Sequence, residues 1–367
     1  MPSRSSTSRS GPSRPDPPLP GSSDQDRAPA DATAAPQGAA GPSRSRRTRP
    51  SRAAFAPHIA GAVAVGSTSV HLEVGVVAPH GFEPITDESV ILELGEIADR
   101  QGAITPAALQ ELIGTLRRYQ AVATSFGATE LTVVATEPIR RARNAVEVLT
   151  RVREETGLLL QLLSHGEEGY LAMLAVTHAQ PPGSDLLIVD IGGGSSEYVL
   201  LGPERGPEAY ALKVGAARLT RPLVHHDPPL ASEIELLRAE ARRHLGTAAD
   251  LAPRQVVFIG GTASNLVKLV PAASIDMALD RRRIAAAFRV LAGEASEATA
   301  ARFGIRPTRA RILAGGAALV EAFLERYRMR HGLVSEASIR EGVVLAAAYA
   351  GAEWRTRLHE LARGWSG

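Results

Sequence analysis

The chain has 367 residues, 44% of them hydrophobic and 22% charged, with a formal net charge of +2 and no cysteine. That length suffices for two domains, the missing cysteines exclude disulfides and thiolate metal sites, and no apolar run reaches the ~18–20 residues of a membrane span. The charge is unevenly spread: residues 1–57 carry nine arginines against four aspartates, which puts that segment at +5 and the remainder at −3.

Residues 1–57 are built from Ser, Pro, Arg, Ala, Gly and Asp, with almost no large apolar residue before Phe55. Such a segment buries too little surface to offset its conformational entropy, so it is expected to be a disordered tail. It also lacks the apolar stretch of a signal peptide, and a cytoplasmic location is the expectation. Its basic run, SRSRRTRPSR at 43–52, is read as solvated charge before any polyanion contact.

Strands are expected at 59–66, 70–77 and 90–94. The first ends in Gly66-Ser67-Thr68-Ser69, and an alternating strand with Val70, Leu72, Val74 and Val76 follows. Thr105 as N-cap and Pro106 at the first position open a helix to about Phe126, with Leu109, Leu112, Ile113 and Leu116 at helical spacing. A strand at 130–136 delivers Thr136, Glu137 and Arg140 toward a helix that starts near Asn144. A further strand at 158–163 runs into the SHGEEG segment and a helix over 167–179.

The most informative stretch is DLLIVDIGGGSSEYV at 185–199. An apolar strand, Leu186 to Val189, carries Asp190 into Gly192, Gly193 and Gly194, followed by Ser195, Ser196 and Glu197. Glycines permit positive φ and let backbone N–H groups close on an anion. The hydroxyls add donors, and a carboxylate beside such a cradle suits Mg²⁺ or an attacking water. The plain alternative is a glycine-rich hairpin turn. A third apolar strand, 255–259, enters Gly260-Gly261-Thr262. Helices are expected at 231–245, 263–269, 281–292, 309–327 and 338–350. Repeated strand–turn–strand units, more than a hundred residues apart, point to an α/β protein of two similar lobes facing one cleft, with another doubly wound sheet as the alternative.

In its ordered motifs the chain resembles the exopolyphosphatase / guanosine pentaphosphate phosphatase family. These motifs are AVGSTS, VVATEPIRRARNA at 133–145, LLSHGEEGYLAML at 162–174, DIGGGSSE, LKVGAARLT at 212–220, the GGT loop and SIREGVV at 338–344. The resemblance runs from about Ile59 to about Ala350. It implies two actin-like (ribonuclease H-like) lobes with a phosphate-binding cleft between them. The first would span 58–166 and be completed by a helix at about 338–352; the second would span 167–337.

It further implies a Mg²⁺-dependent hydrolase that releases terminal phosphate from inorganic polyphosphate or guanosine pentaphosphate. Glu168 takes the position of the water-activating base, Arg140 that of a phosphate partner, and Asp190 that of a metal ligand, with Glu168 and Glu197 as further metal candidates. Phosphate contacts fall to Gly66, Ser67, Thr68 and Ser69, to Gly192, Gly193, Gly194, Ser195 and Ser196, and to Gly260, Gly261 and Thr262. The plain readings are a helix-terminal acid for Glu168, a turn cap for Asp190, an exposed strand residue for Glu197, a surface-loop position for His165, and solvated charges for Arg141 and Arg143.

Four departures from the family pattern stand out: Ala64 occupies the position of a first-loop Asp, Thr68 that of an Asn, His165 that of the usual Gly after Ser164, and Tyr170 that of the usual Arg two residues beyond Glu168. The loss of one facing carboxylate favours slow turnover or a regulator that binds polyphosphate or nucleotide without hydrolysing it. A sugar kinase is the third reading. Longer family members carry extra helical domains beyond SIREGVV, so this chain is expected to take short chains or a nucleotide. A homodimer is compatible, and no membrane or specific nucleic-acid partner is expected.

Overall fold

A computed structural model of the chain describes residues 56–79, 81–178 and 182–363. The expected disordered tail lies outside the described residues up to position 55. The first sheet is built from β1 (His58–Val65), β2 (Ser69–Ala78) and β3 (Gly81–Ile91), then α1 (Leu94–Gln101), α2 (Pro106–Ser125), β4 (Glu130–Ala135), α3 (Glu137–Arg140), α4 (Ala145–Thr156) and β5 (Leu160–Leu162). Helix α5 (His165–Thr177) leads to the second set: β6 (Leu186–Ile191), β7 (Ser196–Leu201), β8 (Glu208–Leu212), α6 (Ala216–Thr220), α7 (Ala231–Leu245), β9 (Gln255–Ile259) and α8 (Gly260–Lys268). It continues through α9 (Pro271–Asp276), β10 (Ala278–Asp280), α10 (Arg281–Gly293), α11 (Ser296–Phe303), α12 (Pro307–Ala310), α13 (Leu313–Arg326) and β11 (His331–Val334). Helices α14 (Ile339–Ala350) and α15 (Trp354–Arg363) close the chain.

The two sheets share one plan. The first has the order β3-β2-β1-β4-β5 and the second β8-β7-β6-β9-β11, with β10 added at the far edge. In each, the opening hairpin is antiparallel and the next strand joins parallel, β4 on β1 and β9 on β6. The topology is the duplicated α/β plan that the repeated hairpins imply.

Packing makes five layers. Val63, Val65, Val70 and Leu72 face α2 on one side of the first sheet, where Leu109, Leu112, Ile113 and Leu116 are fully buried. Thr105 caps α2 by accepting from the Ala108 amide at 3.3 Å. On the other side of β1, small side chains at Ala60 and Ala62 let α14 lie against the strand, within a core shared with α5 and with β6, β7 and β9. Gly342 faces the Leu171 backbone with no room for a Cβ, so α14 and α5 touch main chain to main chain. Beyond the second sheet, α7, α10 and α13 bury Leu237, Phe288, Leu319 and Phe323.

Several expectations are corrected. The third strand is β3 at 81–91 rather than 90–94, and the next residues form α1, because Glu93 adopts the left-handed conformation and starts a helix there. Gly260-Gly261-Thr262 is not a hairpin but the first turn of α8, which follows β9 directly. Strands β8, β10 and β11 and helices α11 and α15 lie outside the expected elements, and 309–327 divides into α12 and α13.

Candidate functional site

The two hairpin turns are built alike. Gly66 N donates to Ser69 O at 3.1 Å, and Gly192 N donates to Ser195 O at 3.0 Å. Two residues before each first glycine stand Ala64 in β1 and Asp190 in β6; their cross-strand partners are His71 and Glu197. Both turns line a cleft of about 700 Å³. Lys268 on α8, Arg306 and Arg309 around α12, and Arg340 on α14 supply positive charge to its walls.

The triple glycine works differently from the expectation. None of Gly192, Gly193 and Gly194 has positive φ. Gly193 and Gly194 are needed because the first loop and Glu137 press on them: a Cβ on Gly193 would lie 2.7 Å from Thr68 Oγ1, and one on Gly194 would lie 2.5 Å from Glu137 Oε2 and 2.7 Å from Ser67 Oγ. Positive φ occurs at Gly260 (79°), where a Cβ would meet Asp190 Oδ1 at 2.5 Å. The third glycine loop therefore makes room for the Asp190 carboxylate.

The hydroxyls divide into two groups. Ser67, Thr68, Ser69 and Ser195 line the cleft, and Thr68 Oγ1 is buried without a hydrogen-bond partner among the described residues. Ser69 Oγ is 2.7 Å from His71 Nε2, and Ser67 donates to Glu137 at 2.9 Å. Ser196 and Thr262 do not face the cleft. Ser196 donates to Val214 O at 2.7 Å and Thr262 to Ile191 O at 2.6 Å, so both hydroxyls are spent on buried main chain. Their expected phosphate contacts are corrected accordingly.

At the inner end of the cleft the SHGEEG segment becomes the first turn of α5. Ser164 and Glu167 form a capping box: Ser164 Oγ accepts from Glu167 N at 3.3 Å, and Glu167 accepts from Ser164 N at 2.7 Å. That turn places His165 and Glu168 side by side. Glu168 is 3% exposed and lines the cleft. Arg140 donates to Glu168 Oε1 at 2.6 Å and to Leu163 O at 2.5 Å, and its other terminal nitrogen lies 2.9 Å from His165 Nδ1. Arg140 is thus the partner of Glu168 and is not among the cleft-lining residues, which corrects its expected place against phosphate. His165 Nδ1 is 2.7 Å from Glu197 Oε1. His165 and Glu197 therefore belong to the buried network, not to an open loop and an exposed strand face.

Burial sets the electrostatics of this network. It pushes the Glu168 carboxyl well above its ordinary value; Glu197 adds to the effect and Arg140 opposes it. Burial lifts Asp190 to about 6 against the pull of Arg309 and Arg340. It lifts Glu197 to about 8, with the Asp190 charge adding to the rise. Burial and then Arg140 hold the His165 imidazole below its usual value. Near pH 7 these shifts favour a neutral imidazole facing a protonated Glu197.

His165, Glu168 and Glu197 bring one ligand atom each within 4.8 Å of one another, close enough to share a metal ion. The Arg140 guanidinium already occupies that neighbourhood, however. Asp190 offers a different kind of ligand: a half-buried carboxylate facing the cleft, with no hydrogen bond or ion pair among the described residues. That donor fits a hard divalent cation, which prefers oxygen.

The motif reading assigned no role to Glu137. Its buried carboxylate accepts from Ser67 and from Arg218 of α6, and pairs with Arg141 at 2.6 Å. It therefore links the first loop to the second lobe. Arg141 also pairs with Asp99, so it is not a solvated charge, whereas Arg143 is exposed. Glu137 opens α3 one residue beyond the end of β4, and that position was the available signal.

A family model described as the Ppx/GppA phosphatase family matches residues 74–349. The chain belongs to the Ppx/GppA phosphatase family. Exopolyphosphatase 1 of Mycobacterium tuberculosis (strain ATCC 25618 / H37Rv) is 34% identical over 301 residues, which cover 78% of this chain and 87% of that protein. Exopolyphosphatase 1 of Mycobacterium leprae is 32% identical over 304 residues, 78% of this chain and 88% of that protein. Among solved structures, the Aquifex aeolicus family member superposes with a TM-score of 0.68 at 28% identity, covering 79% of this chain and 97% of that one. An exopolyphosphatase from Cytophaga hutchinsonii gives 0.70 at 18% identity, with 79% and 98% covered, and supports the fold alone. Membership makes this chain a phosphatase-type hydrolase with the two-lobed actin-like fold.

Proposed function

We propose that this chain releases terminal phosphate from inorganic polyphosphate, with Glu168 as the general base. The observation that carries this reading is a buried, proton-hungry carboxylate held by Arg140 at the end of a cleft lined by two donor-rich loops. A base serves best when its proton affinity lies near the working pH, and burial moves Glu168 in that direction. The terminal phosphate rests against the 66–69 and 192–195 turns, with Thr68 and Ser195 as donors. Glu168 accepts a proton from water, whose oxygen bonds to the terminal phosphorus while the bridging P–O bond breaks and the shortened chain leaves with the electron pair. Positive charge on Lys268, Arg306 and Arg309 offsets the charge of the remaining phosphates.

Mg²⁺ is part of the same proposal. Asp190 would hold it, with Glu197 and Glu168 nearby, and the ion would neutralise charge on phosphoryl oxygens. We divide the body at 166/167, with 338–352 completing the first lobe, because α14 lies on β1 and β2. A cytoplasmic location belongs to this reading through the family resemblance.

Polyphosphate is favoured over guanosine pentaphosphate because no Phe, Tyr or Trp is among the residues that line the cleft, which leaves a purine only the small His71 ring there. A binding protein without turnover is the second reading, and Ala64 favours it. Phosphate release from polyphosphates of defined length and from guanosine pentaphosphate, with and without Mg²⁺, separates these readings. Release from polyphosphate supports the proposal; binding of polyphosphate without release supports the second.

A further inference from the structure

The turn that carries Glu168 is gripped from two sides. From within, Arg140 holds Leu163 O and Glu168. From outside, Arg355 of the last helix, α15, reaches the same turn. Its Nε donates to Glu167 Oε1 at 2.5 Å, one terminal nitrogen donates to Glu167 Oε2 at 3.0 Å, and that nitrogen also donates to Leu162 O. Glu167 is the capping-box acid whose carboxylate closes the first turn of α5 on Ser164 N. One guanidinium therefore joins the end of β5 to the N-terminus of α5, with His165 between the two points it ties and Glu168 directly after the second.

Helix α15 is itself firmly seated. Trp354, Leu358 and Ala362 are buried in the core between the sheets, and His359 packs edge-on to Tyr170 of α5 at 5.7 Å. The Arg355 side chain thus starts from a fixed base. A planar fork on a carboxylate and a carbonyl is a contact that a lysine ammonium cannot reproduce.

We propose that Arg355 is a positioning residue: through Glu167 it fixes the first turn of α5 and so the aim of Glu168, which makes α15 a working part of the active site. The inference rests on Glu168 being the base. A displacement of a reacting group by about 1 Å can cost on the order of a hundredfold in rate, so loosening this turn acts on turnover before binding. Arg355 is not among the residues lining the cleft, and KM has no direct reason to change.

The test uses the full chain, short-chain polyphosphate and Mg²⁺. Arg355→Ala is expected to lower kcat about 10- to 50-fold while KM stays within about threefold, and to move the acid limb of the kcat–pH profile by about half a unit or more. Arg355→Lys recovers only part of the loss, and added guanidinium ion restores some turnover to the alanine variant. Glu167→Gln gives a similar fall, and the double variant is no worse than the more impaired single one. Arg357→Ala, on an exposed residue of the same helix that meets Glu360, leaves kcat unchanged. The proposal is overturned if Arg355→Ala keeps kcat and its pH profile, if guanidinium restores nothing, or if the Arg355 and Glu167 effects add. Should the alanine variant fail to fold, Glu167→Gln with an unchanged kcat and pH profile overturns it. Failure of the base assignment shows separately, as full turnover in Glu168→Gln.

Discussion

The two hairpins at the cleft share a scaffold and differ in chemistry. Both close with the same Gly N–H to Ser carbonyl bond, and both lie between an antiparallel and a parallel neighbour. At matching positions the second hairpin has Asp190 and Glu197 where the first has Ala64 and His71. The second turn is three bare glycines; the first carries side chains, of which Ser67 and Thr68 fit into the space the glycines leave. A duplicated fold has become asymmetric, with donors and steric fill on one side and acids and backbone on the other.

The acid that the first hairpin does keep lies further along β2. Glu73 accepts from Ser338 at 2.8 Å and from Arg340 at 3.0 Å, which ties α14 to the sheet. Its carboxylate is neutralised by structure, whereas Asp190 remains without a partner among the described residues. Both Glu73 and Asp190 line the cleft, but the first is tied into the fold and the second is left open to it.

This comparison breaks most visibly at Glu168. Glu168→Gln keeps the shape and removes the proposed base, so phosphate release should fall by about three orders of magnitude, while polyphosphate binding by calorimetry stays within a few-fold. Full turnover in that variant would remove Glu168 from the mechanism.

Gly194→Ala tests the close approach of the loops. Its methyl group would meet Glu137 Oε2, which Ser67, Arg218 and Arg141 hold in place. We expect about a tenfold or larger loss of kcat/KM and a destabilisation of about 1–3 kcal/mol in urea titrations. A variant with normal activity and stability would show that the loops have room to spare.

Glu341 tests the structural role of first-lobe acids through pH. Burial lifts its carboxyl to about 7, and Glu73 adds to the rise against the Ser338 amide. With a folded value above the unfolded one, its favourable contribution is complete below about 4.5 and is lost as pH rises through 7. Glu341→Gln should therefore raise stability at pH 8 relative to pH 5, by up to about 3 kcal/mol, with kcat little changed. A melting temperature with the same pH dependence as the parent chain contradicts this.

The smallest effect is expected at Ala64. If the missing carboxylate limits capture of the metal, Ala64→Asp should raise turnover and sharpen the Mg²⁺ response by roughly severalfold. Ala64 lines the cleft and is partly exposed, so the fold has room for the change. An unchanged rate and Mg²⁺ response would make the substitution neutral.

Much of the scaffold is legible in the residues alone, because strands, caps and turns depend on neighbours a few positions apart. Thr105 and Pro106 mark the start of α2, and alternating valines mark β2. The α15 helix carried a signal too, Trp354, Leu358 and Ala362 at helical spacing, beyond the last motif with a meaning attached. The acidic network was less legible. Glu168, Asp190 and Glu197 stand out as motif residues, but His165 acquires its place only when β7 brings Glu197 beside it.

What the sequence by itself determined was the duplicated α/β plan, the two cleft turns and the family. What the tertiary structure decided was the use of each group: glycines as clearance instead of left-handed hinges, Arg140 on Glu168 instead of phosphate, Ser196 and Thr262 on main chain, and Arg355 on the first turn of α5. The reason is physical. Local periodicity follows from backbone geometry within one element, whereas the partner of a buried charge or hydroxyl is set by which distant atoms packing brings into its desolvated surroundings.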